Sequence, residues 1–209
     1  MREFLDFREQ LWPNWNLSHL ISSNIQNDLI YPSWFEGQWT ITAENVNDSK
    51  EKPLKYDVTF YKNESGEIIG DRSQNAESIG KAIFGERLKA VRNDPNSINN
   101  QVTFLSNNEY IESRIKERSQ IFNEDLFFAD EFVIQTVHKP EASRINQVEV
   151  MSKFYQCKDF DSINNELPLE EICGFQYLAT YGSKVGEKNT KAISQSKYKL
   201  TFKYLGKRH

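Results

Sequence analysis

The sequence predicts a mainly β protein: a single antiparallel β-barrel with one interior helix, behind an N-terminal arm. Three observations carry this. Short runs of alternating apolar and polar residues recur every 10 to 15 residues from Trp39 onward, separated by Asn-, Pro- and Gly-containing turns. The composition is aromatic-heavy, with 14 Phe, 9 Tyr and 4 Trp among 209 residues, which favours strands over helices. Only one interior window, Ala76 to Ile83, carries apolar residues at helical spacing. The length supports one domain of barrel size, and no repeat or second core is visible.

Residues 1–30 read as an arm and residues 31–209 as the barrel domain. In the arm, Phe4, Leu5, Phe7 and Leu11 suit a short amphipathic helix, which Trp12-Pro13-Asn14-Trp15 breaks. The arm either packs its two Trp over the barrel end or anchors a partner or a membrane surface. From Asp28 to Trp39 the chain is extended at Tyr31-Pro32, because Pro disfavours the α region for the residue before it. Gly37 sits among Trp34, Phe35 and Trp39, where a side chain would obstruct packing or a bend. Trp39 to Ala43 alternates as a first strand, and residues 45–53 form a polar loop. Tyr56, Val58 and Phe60 share one face of the next strand. Asn63-Glu-Ser-Gly66 is a hairpin turn, followed by a short strand at Ile68-Ile69.

A helix follows, capped by Ser73 or Asn75 and stopped by Gly85. Ala76, Gly80 and Ala82 let it lie close against a sheet. The rest reads as strands over residues 88–92, 101–105, 110–118, 130–138, 145–156, 172–181 and 197–205. In the last, Tyr198, Leu200, Phe202 and Tyr204 face one side and lysines face the other.

Composition excludes several classes. The net charge of −4, with both signs interspersed, is no footprint for nucleic acid. No window approaches 18 apolar residues, so no transmembrane helix is expected. Cys157 and Cys173 lack metal-ligand spacing, and neither zinc nor any other cofactor is expected. The start, Met1-Arg-Glu-Phe-Leu-Asp6, has no apolar leader region. That start is weak support for a cytoplasmic location, and the location stays open.

Three groups offer chemistry. At the strand-to-helix junction, Asp71, Arg72 and Asn75 gather a carboxylate, a guanidinium and an amide. Arg72 either holds an anionic ligand group at a barrel mouth or pairs with Asp71 while Asn75 caps the helix. In Glu112 to Arg118, the residues Glu112, Arg114, Lys116 and Arg118 share one face and Ile111 and Ile115 the other. That charged row is either solvated or a pocket wall. On the strand from Asp130 to His138, Glu131 and Gln135 are the polar residues that would line a pocket. His19, His138 and His209 stand in no nucleophile or metal motif, and no Gly-rich phosphate loop is present. Cys157 and Cys173 flank a polar loop between two neighbouring strands. They are candidates for a disulfide that would add roughly 3 kcal/mol, the alternative being two reduced thiols.

Gly37-Gln38-Trp39 at the head of a first strand resembles the opening motif of lipocalin-like (calycin) barrels. In those barrels the Trp plugs the closed end and a basic residue after the last strand packs across it. That implies Trp39, with Arg208 or Lys207, as a barrel-end plug. The motifs Tyr31-Pro-Ser-Trp-Phe-Glu-Gly-Gln-Trp39 and Asp71-Arg-Ser-Gln-Asn-Ala-Glu-Ser-Ile-Gly-Lys-Ala82 resemble those of an uncharacterised calycin-like family of oxygenic phototrophs. Weaker likenesses lie at Glu131 to Gln135 and Val148 to Tyr155, so the resemblance spans residues 28–205. It implies a barrel fold and a link to photosynthetic membranes or pigments. It supplies no catalytic residue.

The expected function is therefore non-enzymatic: binding a hydrophobic or amphipathic small molecule (pigment, tetrapyrrole or lipid) in the barrel. Arg72 and Arg114 would meet its acidic groups. One alternative is a chromophore lyase acting on an antenna protein, by analogy with a neighbouring calycin-type family whose motifs are not found here. Another is an assembly factor that binds a photosynthetic protein partner through Trp12 and Trp15.

Overall fold

The structure is a computed structural model, and it describes residues 2–15, 27–157, 171–182 and 191–207. Helix α1 (Arg2–Leu11) opens the chain. Ten strands follow: β1 (Gly37–Asn45), β2 (Leu54–Lys62), β3 (Ile68–Gly70), β4 (Leu88–Asp94), β5 (Ser97–Leu105), β6 (Tyr110–Phe122), β7 (Leu126–His138), β8 (Ser143–Gln156), β9 (Glu171–Tyr181) and β10 (Ser194–Gly206). Helix α2 (Arg72–Phe84) joins β3 to β4. All the strands lie in one antiparallel sheet, in the order β3-β2-β1-β10-β9-β8-β7-β6-β5-β4.

The expected antiparallel barrel is thus present as a curled half-barrel rather than a closed cylinder. The chain's first and last strands pair along their length, from Gln38↔Gly206 to Asn45↔Tyr198. The seam lies in mid-sequence, between β3 and β4, and α2 fills it. Asp57 N–H donates to Ser78 Oγ at 3.0 Å, and Thr59 N–H donates to Asn75 Oδ1 at 2.7 Å. Asn75 Nδ2 donates back to Thr59 O at 3.0 Å. The free edge of β2 is thereby covered by helix side chains, one way to prevent an open edge from pairing with another chain. On the other side, Gly80 is buried so close to β4 that an added Cβ would meet Leu88 at 3.2 Å.

Two details of α2 differ from the sequence expectation. The N-cap is Asp71, which accepts from Gln74 N–H at 3.1 Å. Neither Ser73 nor Asn75 caps it: Asn75 serves the β2 edge, and Ser73 Oγ accepts from Asn93 at 2.9 Å. Ile83, expected on the packed face, is 54% exposed. The helix ends at Gly85, as its φ of +55° requires of a residue without a Cβ.

The sheet has a core on each face. Inside lie Phe35, Trp39, Ile41, Val58, Phe60, Phe127, Phe154, Ile172, Leu200 and Phe202. Alternation in β1 and β10 set this face from the sequence. Gly37, at φ +131°, lets the backbone pass Tyr204, whose ring would lie 2.5 Å from an added Cβ. The second core is outside, where Leu5 and Trp15 of the arm pack with Phe128, Met151, Tyr177, Ala179 and Tyr181. The arm therefore lies on the outer wall of β7, β8 and β9, not over the barrel end. Its helix places Leu5 against the sheet, while Phe7 and Leu11 stay exposed.

Arg8 seals the outer layer. It forms a bidentate ion pair with Glu149, and both side chains are almost wholly buried. Its backbone carbonyl accepts from Trp15 Nε1 at 2.7 Å, and its guanidinium lies 4.4 Å from the Trp15 ring centroid. Tyr181 donates to Glu149 at 2.6 Å, and Tyr177 donates to Glu9 at 2.7 Å. Asp130 is buried beside Glu149, and no donor of the described residues reaches either of its oxygens. Burial, then the neighbouring charge of Glu149, pushes the Asp130 carboxyl well above its usual range. In its protonated form Asp130 has an O–H to donate to Glu149.

Candidate ligand site in the half-barrel

The inner face lines a half-open cavity of about 340 Å³. Its floor is aromatic. Tyr31 stacks on Phe127 with ring centroids 4.7 Å apart and meets Phe60 edge-on at 4.6 Å. Phe35 lies between them, within 5.8 Å of Phe154 and Phe202. A short 3-10 turn, Ser33–Phe35, drives Phe35 into this position, and Trp39 Nε1 donates to its carbonyl at 2.8 Å. Trp39 is itself buried against Phe202 and Tyr204. Arg208, expected to pack across Trp39, lies outside the described residues.

The chain from Asn27 to Tyr31 crosses the open side of the half-barrel. Tyr31 forms a bridge with Ile68 of β3. Ile30 exchanges two hydrogen bonds with the Gln120 amide of β6, at 3.0 and 3.2 Å. Asn27 O accepts from Arg118.

The polar part of the cavity wall is drawn from α2 and from β6, β7, β8 and β9. Arg118 of β6 is 4% exposed and donates to Glu131 of β7 at 2.6 Å. Arg72, at the start of α2, stands 3.7 Å from Asp28 and not against Asp71. Asn75, Ser152 and Gln176 complete the wall, the last two hydrogen-bonded at 3.3 Å. Burial pushes the Tyr56 phenol up to about 12. Burial, then Glu131 and Asp28, raises the Tyr31 phenol as well. Both rings thus present neutral hydroxyl groups at the cavity. An apolar floor of rings under a rim of ions, amides and hydroxyls can hold a molecule with an apolar body and a polar head.

The structure brings Arg72, Asn75 and Glu131 together in this cavity. It does not bring Asp71, Arg114 or Gln135. Asp71 faces the helix backbone as its cap. Gln135 shares the inner face with Glu131 but lies four residues further along β7, where its amide meets Ser113 at 3.5 Å. Arg114 is on the outer face, opposite Asn100 and Ile134. The expectation that Arg114 and Arg118 share a face fails at one residue. The β6–β7 register slips between Ile115 and Glu117, so Lys116 forms a bulge and Arg118 turns inward. The sequence carried a trace of this: continued alternation from Ile111 and Ile115 would have put the acidic Glu117 on the apolar face. Sequence reasoning missed Tyr31 and Tyr56 as site residues, the first noted only for its extended backbone and the second only as part of one strand face.

Cys157 and Cys173 are joined as a disulfide, with Cα atoms 5.3 Å apart, at the end of the β8–β9 pairing and away from the cavity. Among the described residues, no cluster of His, Cys, Asp and Glu could hold a metal ion. No described helix is long and apolar enough to cross a membrane.

The family described as a domain of unknown function (DUF6816) matches residues 23–205, which takes in the half-barrel up to, but not including, the last residue of β10 and the segment that crosses it. No curated protein matches the chain, and no solved structure does.

Proposed function

The chain belongs to the DUF6816 family, and we propose that its half-barrel binds an amphipathic small molecule, held by its apolar body on the aromatic floor and by its polar head among Arg72, Arg118 and Glu131. The observation that carries this reading is the cavity itself. A packed core of this size leaves few voids larger than a water molecule. Here about 340 Å³ stays open among seven aromatic rings, with Asp28, Arg72, Arg118 and Glu131 in its wall. That volume is near the lower end for small-molecule sites, which run from roughly 300 to 1,000 Å³. It fits a single lipid chain or a few fused rings better than a whole tetrapyrrole, which would require α2 to move outward. The calycin resemblance of the Gly37-x-Trp39 opening agrees with carriage in a lumen.

The test is a native mass spectrum with an absorption spectrum of the protein isolated from its own cells. A bound lipid or pigment of defined mass is expected, and Arg72→Ala should lower its occupancy. An apo mass, together with no uptake of fatty acids or pigments by the purified chain, would refute the reading. Phe7 and Leu11, exposed on α1, favour a protein-binding assembly role as the second reading. Trp15 does not serve it, being buried against the outer wall.

A further inference from the structure

A second and larger hollow, of about 610 Å³, lies outside the lumen on the outer face of β4, β5 and β6. The register explains what lines it. Arg92 of β4 stands opposite Val102 of β5, which stands opposite Glu112 of β6. In the next row Asn100 of β5 faces Arg114 of β6. Arg92 and Arg114 are therefore two strand spacings apart, about 10 Å across the sheet, with β5 as the floor between them. The bulge in β6 adds Lys116 to the same hollow.

The charges here are not balanced internally. Both acids in the hollow are engaged away from its cations. Asp94 accepts from Asn96 N–H at 2.9 Å and from Asn100 Nδ2 at 3.1 Å. Glu112 is paired with His138 at 2.8 Å. Among the described residues, no ion pair engages Arg92, Arg114 or Lys116. Arg92 is held over the Phe104 ring, 5.3 Å from its centroid, which fixes it at one side of the hollow. An acceptor is also left bare: Asn100 Oδ1 is buried with no donor. A hollow with three uncommitted cations, an unused amide oxygen and the Thr136 hydroxyl asks for a ligand that is anionic at one point and carries hydroxyl donors elsewhere.

We propose that this outer groove binds the phosphate or sulfate monoester of a sugar or polyol. The ester oxygens would take the guanidinium and ammonium donors, which match such oxyanions in geometry and charge. A ring hydroxyl would donate to Asn100 Oδ1. The volume lies mid-range for a small-molecule site and accommodates one sugar ring with its ester. A net charge of −4 on the chain disfavours an extended polyanion at the same place. The ester can belong to a free sugar phosphate or to a lipid headgroup, and the chemistry of recognition is the same.

The test is a calorimetric titration of the full chain with glucose 6-phosphate, alongside sedimentation with phosphatidylcholine vesicles containing phosphatidylinositol 4-phosphate. Saturable binding is expected in at least one arm. In the double variant Arg114→Gln, Lys116→Gln it should weaken by about tenfold or more. Arg72→Ala, in the lumen, should leave it unchanged, and glucose without phosphate should not bind comparably. Binding in the soluble arm assigns the ester to a free sugar phosphate; binding to vesicles alone assigns it to a headgroup. The proposal is overturned if neither probe binds, or if the double variant binds as the natural chain does. Arg92→Gln, on a separate strand, repeats the comparison should the double variant fail to fold.

Discussion

Replacing Arg8 by Met tests whether the arm is part of the folded unit. The guanidinium is 4% exposed and the carboxylate of Glu149 1% exposed, so neither has water to fall back on. Arg8→Met keeps most of the side chain's volume but leaves Glu149 with the Tyr181 hydroxyl and Asp130 as its only neighbours of use. Removing one member of a buried ion pair costs about 3–5 kcal/mol, because the remaining charge stays desolvated. Loss of the contact with the Trp15 ring adds about 0.5–2 kcal/mol. Protonation of Glu149 limits the total, as does undocking of the arm, so about 3 kcal/mol is expected near neutral pH. Urea unfolding of the full chain, followed by tryptophan fluorescence, reads this out, since Trp12 and Trp15 both lie in the affected layer. The double variant Arg8→Met, Glu149→Met should recover most of the loss, since an apolar replacement of a whole buried pair is often neutral. A loss below about 1 kcal/mol in Arg8→Met would refute the reasoning and show that the outer layer does not depend on this pair.

Three further outcomes follow from the same physics. Burial, then the charge of Glu149, makes Asp130 hold its proton to higher pH in the folded chain than in the unfolded one, where it is released near pH 3.9, so the folded state binds more protons above that pH. Stability should then fall as pH rises from about 4 toward the raised folded value, and Asp130→Asn should flatten that slope in urea midpoints measured across the range. Gly37→Ala places a Cβ 2.5 Å from Tyr204 at φ +131°, and should cost about 1–3 kcal/mol in thermal or urea unfolding. Cys157→Ser with Cys173→Ser, or reduction of the natural chain, should cost about 3 kcal/mol, seen as a melting temperature lowered by roughly 6 to 12 °C.

Much of the fold was legible because strand alternation is local. The longer strands were readable from runs of two-residue period, and the Gly85 stop of α2 from one residue's backbone freedom. What pairs across the sheet was not legible. Arg8 and Glu149 are 141 residues apart, and nothing near either one signals a partner. Glu149 stands in a strand of mixed polar and apolar residues, yet it is among the most deeply buried side chains described. Half of the candidate site was found because Arg72, Asn75 and Glu131 sit at element ends or on a face whose parity holds. Arg118 was assigned to the wrong face because a single extra residue in β6 reverses every side chain after it. Closure by a helix was also hidden, since α2 was visible as a helix but not as the filler of a missing strand-to-strand contact.

The seam that α2 fills has a mechanical consequence. Elsewhere the wall is held by continuous ladders of backbone hydrogen bonds, which yield only together. At the seam, the amides of Asp57 and Thr59 are held by one hydroxyl and one carboxamide from α2. Such bonds can open singly, while the nine strand pairings stay intact. The wall is therefore stiff in nine places and compliant in a tenth, and the lumen can change its width by displacing one helix without melting a strand. In amide hydrogen exchange, Asp57 and Thr59 would mark that compliance by exchanging ahead of their neighbours on the β1 side of the same strand.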